Sequence, residues 1–85
     1  MTNHYKVYAE YFDYGTPEEI MCEACCRPAN DIHHIHGRGK GKDVISNLMA
    51  LCRKHHTQAH SDISKESMQY IHNNFMAGNK KVFLR

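Results

Sequence analysis

The stretch LCRKHHTQAH, residues 51–60, carries one cysteine and three histidines within ten positions. In a helix, Cys52 and His55 lie three residues apart on one side. His56 and His60 lie four residues apart and share a neighbouring side. One ion does not need that many ligands from a single helix. The stretch therefore predicts two separate metal sites, one on each side of the helix.

A second pair of cysteines completes the first site. Two residues separate Cys22 from Cys25, and the same spacing separates Cys52 from His55 in the helix. Three thiolates and one imidazole form a closed ligand set for structural zinc, which two matched pairs indicate strongly. Cys26 is spare. It could replace Cys25, but we expect a small buried or half-exposed thiol.

A zinc ion suits the size of the protein. The chain has 85 residues, enough for one domain with a core too small to be stable without a staple. Structural zinc contributes on the order of 10 kcal/mol to folding in small zinc-folded peptides. A disulfide among the cysteines is the alternative.

The composition and the N-terminal sequence indicate the compartment. The segment MTNHYKVYAEYF lacks the basic start and apolar run of a signal peptide. No apolar stretch approaches the roughly 20 residues that cross a bilayer. We therefore expect no membrane partner and a cytoplasmic protein, in a bacterium or a phage-infected host cell, where cysteines bind metal more often than they form disulfides.

The second metal site needs a ligand from outside the helix, and the segment DIHHIH (31–36) offers two neighbouring histidines, His33 and His34. Neighbours in a strand point to opposite faces, so one can bind an ion while the other stays free as a base. The spacing leaves open which does which. Three histidines leave coordination positions open, which is typical of a catalytic site. The alternative is a set of surface histidines with no shared role.

The charge is unevenly distributed along the chain. Residues 1–26 contain one lysine and five acidic residues, whereas residues 27–85 contain ten basic and four acidic residues. A basic half with protonatable histidines suits a polyanion. The loop GRGKGK (37–42) carries Arg38, Lys40 and Lys42 between glycines, which let the backbone approach phosphates closely. The alternative for this loop is a solvated turn, and His36 is either a phosphate contact or simply exposed.

Two helices are predicted to flank the metal-binding segments. The first covers residues 3–14, with Asn3 as its cap, Gly15 at its end and aromatic residues at near-helical spacing on its core face: Tyr5, Tyr8 and Phe12. Thr16 and Glu19 then form a capping box at the start of a new turn. The second helix covers residues 64–77, with Ser64 as N-cap, Gly78 after its end and an apolar face made by Met68, Ile71 and Phe75.

Between them, residues 30–36 are compatible with a β-strand and residues 37–42 form the flexible loop. Residues 43–50 lead through Asn47 into a helix that contains Leu48, Leu51 and the histidines. The last residues, KKVFLR, could add a short terminal strand.

The run His34…Asn47…His56, bracketed by the two metal-binding pairs, resembles the HNH endonucleases, whose core is a ββα-metal finger. It is most similar to small stand-alone members from bacteria and phages, which often read HHI…RG…NL…LC…HH…H. The resemblance covers about residues 22–60. It implies one small α+β domain over residues 1–85, stapled by zinc, with the predicted helices flanking the ββα-metal core.

The resemblance also implies roles for individual residues. His34 would be the general base, and Asn47 would hydrogen-bond near it and hold its ring. His33 and His56 would bind the catalytic ion, and His60 matches an extra helical ligand of histidine-rich members. Many members have a second cysteine at the position of His55. Many have aspartate at the position of His33, and histidine there suggests a softer ion than Mg²⁺.

We therefore expect a metal-dependent endonuclease that hydrolyses double-stranded DNA to leave 5′-phosphate and 3′-hydroxyl ends. It would use a structural zinc ion and one catalytic divalent ion, either Mg²⁺, Mn²⁺, Ni²⁺ or Zn²⁺. The first alternative is a zinc-stapled DNA-binding module without catalysis. The second is a zinc-dependent protein-interaction module, which would have no affinity for nucleic acid.

Overall fold

The computed structural model describes residues 3–85, so residues 1 and 2 of the predicted domain lie outside the described part. The described chain folds into three α-helices and a two-stranded antiparallel sheet. In chain order the elements are α1 (Asn3–Tyr11), β1 (Asp31–His34), β2 (Leu48–Leu51), α2 (Arg53–Ala59) and α3 (Lys65–Met76). Short 3₁₀ turns cover Pro17–Glu19 and Ile45–Asn47. The predicted small α+β class is thus confirmed.

The sheet pairs β1 with β2, so that His33 lies opposite Met49 and His34 lies opposite Leu48. The prediction that Leu48 and Leu51 belong to the histidine-bearing helix is wrong. All four residues of β2 are buried, and a short apolar run that is buried on both faces suits a strand as well as a helix. The helix α2 begins only at Arg53.

The two faces of β2 contribute to two apolar clusters. Met49 and Leu51 pack in one cluster with the cysteines and with Met68 and Ile71 of α3. Leu48 and Ala50 pack in the other cluster with Tyr8 of α1, Ile20 and partly buried aromatic residues that include Tyr5 and Phe12. The predicted aromatic face of the first helix is therefore part of the core. The sheet lies between the clusters and is covered on both faces.

Helix α1 is shorter than predicted. It ends at Tyr11 because Asp13 takes a left-handed backbone conformation with φ of +58°, one that aspartate tolerates better than most residues. The predicted capping interaction at the next turn is present. The Glu19 carboxylate accepts hydrogen bonds from the backbone N and the hydroxyl of Thr16 at 3.1 and 3.3 Å.

Helix α3 begins and ends as predicted. Ser64 accepts a hydrogen bond from the backbone N of Ser67 at 3.1 Å, and Gly78 follows the helix with φ of +91°. The predicted apolar face is buried: Met68, Ile71 and Phe75. The predicted terminal strand is wrong, because the backbone N–H groups of Phe83 and Leu84 both donate to one carbonyl, that of Ala24, rather than to a ladder. No helix in residues 3–85 is long and apolar enough to cross a membrane.

A buried polar network joins both clusters through Glu23, which is fully buried. One carboxylate oxygen accepts hydrogen bonds from the Tyr8 hydroxyl and from the backbone N of Ala50. The other accepts from Nδ1 of His72 at 2.7 Å. His72 Nε2 donates to the carbonyl of Ile45 at 2.6 Å. Each polar atom of Glu23 and His72 therefore has a partner, as burial requires.

Candidate metal centres

The four predicted zinc ligands come together where a turn meets the start of α2. Cys22 and Cys25 lie in a tight turn in which the Cys26 backbone N donates to the Cys22 carbonyl at 2.9 Å. Cys52 is the N-cap residue of α2 and His55 lies in its first turn. All four are buried and their ligand atoms lie within 4.8 Å of one another. The turn and the start of the helix thus place two ligands each.

The distances within this cluster fit a tetrahedral zinc ion. With Zn–S bonds of about 2.3 Å and Zn–N bonds of about 2.0 Å, ligand sulfurs lie about 3.8 Å apart and sulfur and nitrogen about 3.5 Å apart. Cys25 Sγ and Cys52 Sγ are 3.8 Å apart. His55 Nδ1 lies 3.2 Å from Cys52 Sγ and 3.8 Å from Cys22 Sγ. This Cys₃His cluster could hold a structural metal ion such as zinc.

The cysteines are free thiols, and only one of the two adjacent cysteines belongs to the cluster. Cys25 is buried in it. The expectation that Cys26 is buried or half-exposed is wrong, because Cys26 is exposed and has a left-handed φ of +64°. Burial raises the pKa of the Cys22 thiol to about 12 in the metal-free protein. Zinc uptake at neutral pH therefore has to displace the thiol proton, as it does in other thiolate sites.

A second cluster unites His33 of β1 with His56 and His60 at the end of α2. Their ligand atoms lie within 4.8 Å of one another. His56 Nε2 and His60 Nε2 are 3.2 Å apart, close to the roughly 3.3 Å expected of two imidazoles on one tetrahedral ion. Burial lowers the pKa of His33 to about 4, and its interactions with the neighbouring His56 and His60 act in the same direction. His33 is therefore neutral at pH 7 and can donate a lone pair.

Asp31 fixes the orientation of one ligand in this cluster. Its carboxylate accepts a hydrogen bond from His56 Nδ1 at 3.0 Å and another from Arg53 Nε at 3.1 Å. With its proton on Nδ1, neutral His56 turns the Nε2 lone pair toward His60. Metal-binding histidines commonly have such a carboxylate behind them. The cluster fits a transition-metal ion by its donors, its spacing and this supporting contact.

His34 lies next to this cluster but is paired differently. Its Nε2 donates a hydrogen bond to the Asp43 carboxylate at 2.8 Å. The bond from His34 and a second one from Asn3 Nδ2 lower the pKa of Asp43, which is therefore ionised at neutral pH. A proton on Nε2 leaves the lone pair of a neutral His34 on Nδ1. The His4 ring lies edge-on to His34, with their centroids 4.8 Å apart.

Asn47 anchors the loop rather than the ring of His34. Its side-chain oxygen accepts from the backbone N of His36 at 2.7 Å. Its amide donates to the carbonyls of Gly37 and Lys42 at 3.1 and 3.0 Å. In the described residues the ring contact expected of Asn47 is made by Asp43 instead. Asn47 therefore forms hydrogen bonds close to His34, as expected, but with the loop backbone and not with the His34 ring.

The basic loop lies beside the histidines. Its three glycines all have positive φ angles, which glycine adopts without strain. A cavity of about 290 Å³ opens between β1, the loop and α2 and is lined by His33, His34, Arg38, His56 and His60, with Ile32 and Gly37. Lys40 and Lys42 are exposed on the loop outside this lining. His36 is exposed, and its Nε2 donates to Gln69 at 3.0 Å.

Sequence reasoning missed the carboxylates of the site. Asp31 lies two residues before His33, and Asp43 directly follows the basic loop. No sequence pattern distinguishes Asp31 or Asp43 from an aspartate on the surface. Their contacts with His56 and His34 form only in the folded protein. His4 was missed for the same reason.

Comparison with known proteins assigns no function. The Uncharacterized protein YdfU of Escherichia coli (strain K12) is 42% identical over an alignment of 47 residues, and the match covers 48% of this chain. The match spans 13% of that protein's length. No family model matches the chain, and no solved structure matches it.

Proposed function

We propose that the protein is a metal-dependent DNA endonuclease of the HNH type. The observation that carries the proposal is the juxtaposition of two differently paired histidines on β1. His33 faces two further imidazoles, whereas the neighbouring His34 is hydrogen-bonded to Asp43. A site for an ion and a separate candidate base thus line one cavity, beside a loop rich in glycine and basic residues.

His34 is the proposed general base. The N–H group at Nε2 of His34 donates a hydrogen bond to Asp43, so the lone pair on Nδ1 can accept a proton from a water molecule. The Asp43 carboxylate then stabilises the imidazolium that forms. The resulting hydroxide attacks phosphorus while the bond to the 3′ oxygen breaks. The departing 3′ oxygen takes a proton from solvent water, which leaves 5′-phosphate and 3′-hydroxyl ends. Asn47 positions His34 indirectly, by fastening the backbone that follows it.

The proposed catalytic ion is held by His33, His56 and His60, with Asp31 behind His56. When bound, a divalent cation there would stabilise negative charge on the phosphate and on the departing oxygen. The three-imidazole set favours Zn²⁺, Ni²⁺ or other borderline ions over Mg²⁺, which prefers oxygen ligands.

Double-stranded DNA is the proposed substrate. Arg38 borders the cavity and is the candidate for contact with the phosphate next to the scissile bond. Lys40 and Lys42 lie farther along the same exposed loop and can contact neighbouring phosphates. Such contacts position a duplex without reading its sequence.

The second candidate function is a zinc-stapled DNA-binding module without catalysis. The buried Cys₃His cluster and the basic loop support it equally well. The paired His34 and Asp43 favour the nuclease, because a binding module has no need of a candidate base beside three converging imidazoles.

The two proposed histidine roles predict different defects. His34→Ala keeps His33, His56 and His60, so the affinity of this three-histidine site for its ion should be unchanged. Nicking should fall by about 10²- to 10⁴-fold, the usual contribution of a positioned base. His56→Ala should weaken metal affinity, and excess metal should partly restore nicking. Calorimetric metal titration and single-turnover nicking of a plasmid measure both quantities, with His36→Ala as the matched control.

Two outcomes would change the assignment. Loss of metal binding in His34→Ala, with normal binding in His33→Ala, would exchange the roles of these residues. Unchanged nicking in all of the histidine variants would show that the nicking does not arise at this site, and the binding module would then be the better account.

A further inference from the structure

A third group of potential ligands lies beside the proposed active site. His4 in the first turn of α1, His34 at the end of β1 and Asp43 after the basic loop offer ligand atoms that lie within 4.8 Å of one another. Two imidazoles and one carboxylate form a donor set for borderline transition metals. Neither the structural cluster nor the proposed catalytic cluster uses His4 or Asp43 as a ligand.

We propose that His4, His34 and Asp43 form a second, inhibitory site for a transition-metal ion such as Zn²⁺. The inhibitory role rests on the proposed function, because His34 would be the base in one state and a ligand in the other. The ligand class is a free divalent cation with affinity for nitrogen donors.

The geometry needs only a small adjustment to accept an ion. His34 Nε2 and the Asp43 carboxylate are 2.8 Å apart, and an ion between them requires about 3.0 to 3.3 Å. The Asp43 side chain is 35% exposed and can shift toward solvent. Asn3 already holds its other carboxylate oxygen at 3.1 Å, so the oxygen nearer His34 is the one that faces the ion.

The donors of the site suit a cation. Asp43 contributes a carboxylate, and His4 and His34 each contribute one ring nitrogen. Arg38, the nearby cation, is exposed on the loop and can turn away from an entering ion.

Binding at this site would remove the base by changing the tautomer of His34. An ion on Nε2 displaces the proton that is now donated to Asp43. A neutral imidazole that ligates through Nε2 carries its proton on Nδ1. Nδ1 is then a donor and cannot accept a proton from water. One ion at this position would therefore stop hydrolysis while leaving the ion at His33, His56 and His60 in place.

The activity test is a zinc titration of nicking, with the ion that best supports nicking held at a fixed concentration. We expect zinc to slow the wild type. With each rate expressed relative to the same protein's rate without added zinc, His4→Gln should need at least about tenfold more zinc for half-inhibition, since even supporting residues of metal sites change affinity by about 10- to 100-fold. His36→Gln, an exposed histidine outside the cluster, is the control and should follow the wild-type curve. Identical curves for His4→Gln and the wild type would overturn the proposal.

A binding measurement separates this proposal from the proposed function. In equilibrium dialysis against Zn²⁺ with metal analysis, the wild type should bind one ion more than either His4→Gln or Asp43→Asn. Circular dichroism should confirm that both variants are folded. If the protein does not nick DNA but the extra ion is present, the metal site stands and the nuclease proposal fails. Equal zinc counts would show that the site does not exist.

Discussion

At the scale of single residues, the adjacent Cys25 and Cys26 differ in burial and in their distance from the other ligands. Cys25 is buried with its sulfur 3.8 Å from that of Cys52, and Cys26 is exposed at the left-handed position of the turn. The turn directs only one of the two thiols toward the cluster. The pair therefore offers a matched test of the zinc site, in which the same chemical change is made at neighbouring positions.

We expect Cys25→Ser to lose zinc and cooperative folding, because a hydroxyl is a poor substitute for a thiolate ligand and metal binding is coupled to folding. Cys26→Ser should keep one tightly bound zinc ion and change the free energy of unfolding by less than about 0.5 kcal/mol, as surface substitutions usually do. Metal analysis and thermal unfolding followed by circular dichroism measure both. Full zinc content and a cooperative transition in Cys25→Ser would contradict the assigned ligand set.

At the scale of elements, local patterns predicted some features well and others poorly. The Cys₃His ligand set was predicted from the spacing of residues close together in the chain. The bounds of α3 were predicted from its capping residues, which are also local. The run Leu48–Leu51 was misread because leucine, methionine and alanine are good helix formers, and burial between two clusters overrides that preference. The contacts of Asp31 and Asp43 link separate segments and have no local signal.

The basic loop is an element whose role can be tested separately from catalysis. Replacing Arg38, Lys40 and Lys42 together by alanine should weaken DNA binding. It should also flatten the dependence of log K on log salt by about 0.9 for each phosphate that is no longer neutralised. Binding titrations at several salt concentrations measure the slope. The triple replacement of Lys65, Lys80 and Lys81 by alanine, which removes three exposed positive charges outside the loop, is the control for total charge. An unchanged slope in the loop variant would show that the loop does not contact DNA.

At the scale of the whole molecule, the hydrogen bonds of Glu23 connect the sheet to two helices. They join α1 through Tyr8, β2 through Ala50 and α3 through His72, next to the zinc cluster. Burial raises the pKa of Glu23, whereas the hydrogen bonds from His72 and Tyr8 lower it. The hydrogen bonds can form either with an ionised Glu23 and a protonated His72 or with both side chains neutral.

Two substitutions distinguish hydrogen bonding from charge at Glu23. Glu23→Ala should cost about 3–5 kcal/mol in the free energy of unfolding, because it leaves buried polar partners without a match. Glu23→Gln should cost less than about 1.5 kcal/mol, since its oxygen can accept from Tyr8 and Ala50 while its amide donates to a neutral His72. Urea unfolding of the zinc-loaded proteins measures both. A loss in Glu23→Gln as large as that in Glu23→Ala would show that the network requires the charge.

We propose that the protein cuts DNA by using an ion at the three-histidine cluster and His34 as the base. The most direct measurement is the nicking of supercoiled plasmid by zinc-loaded protein, with Mg²⁺, Mn²⁺, Ni²⁺ or Zn²⁺ added singly and with His34→Ala purified in parallel. We predict relaxed or linear plasmid only when a suitable ion is added, with ligatable ends, and a rate at least about 100-fold lower for His34→Ala. Plasmid that is bound but stays supercoiled with every ion would contradict the claim.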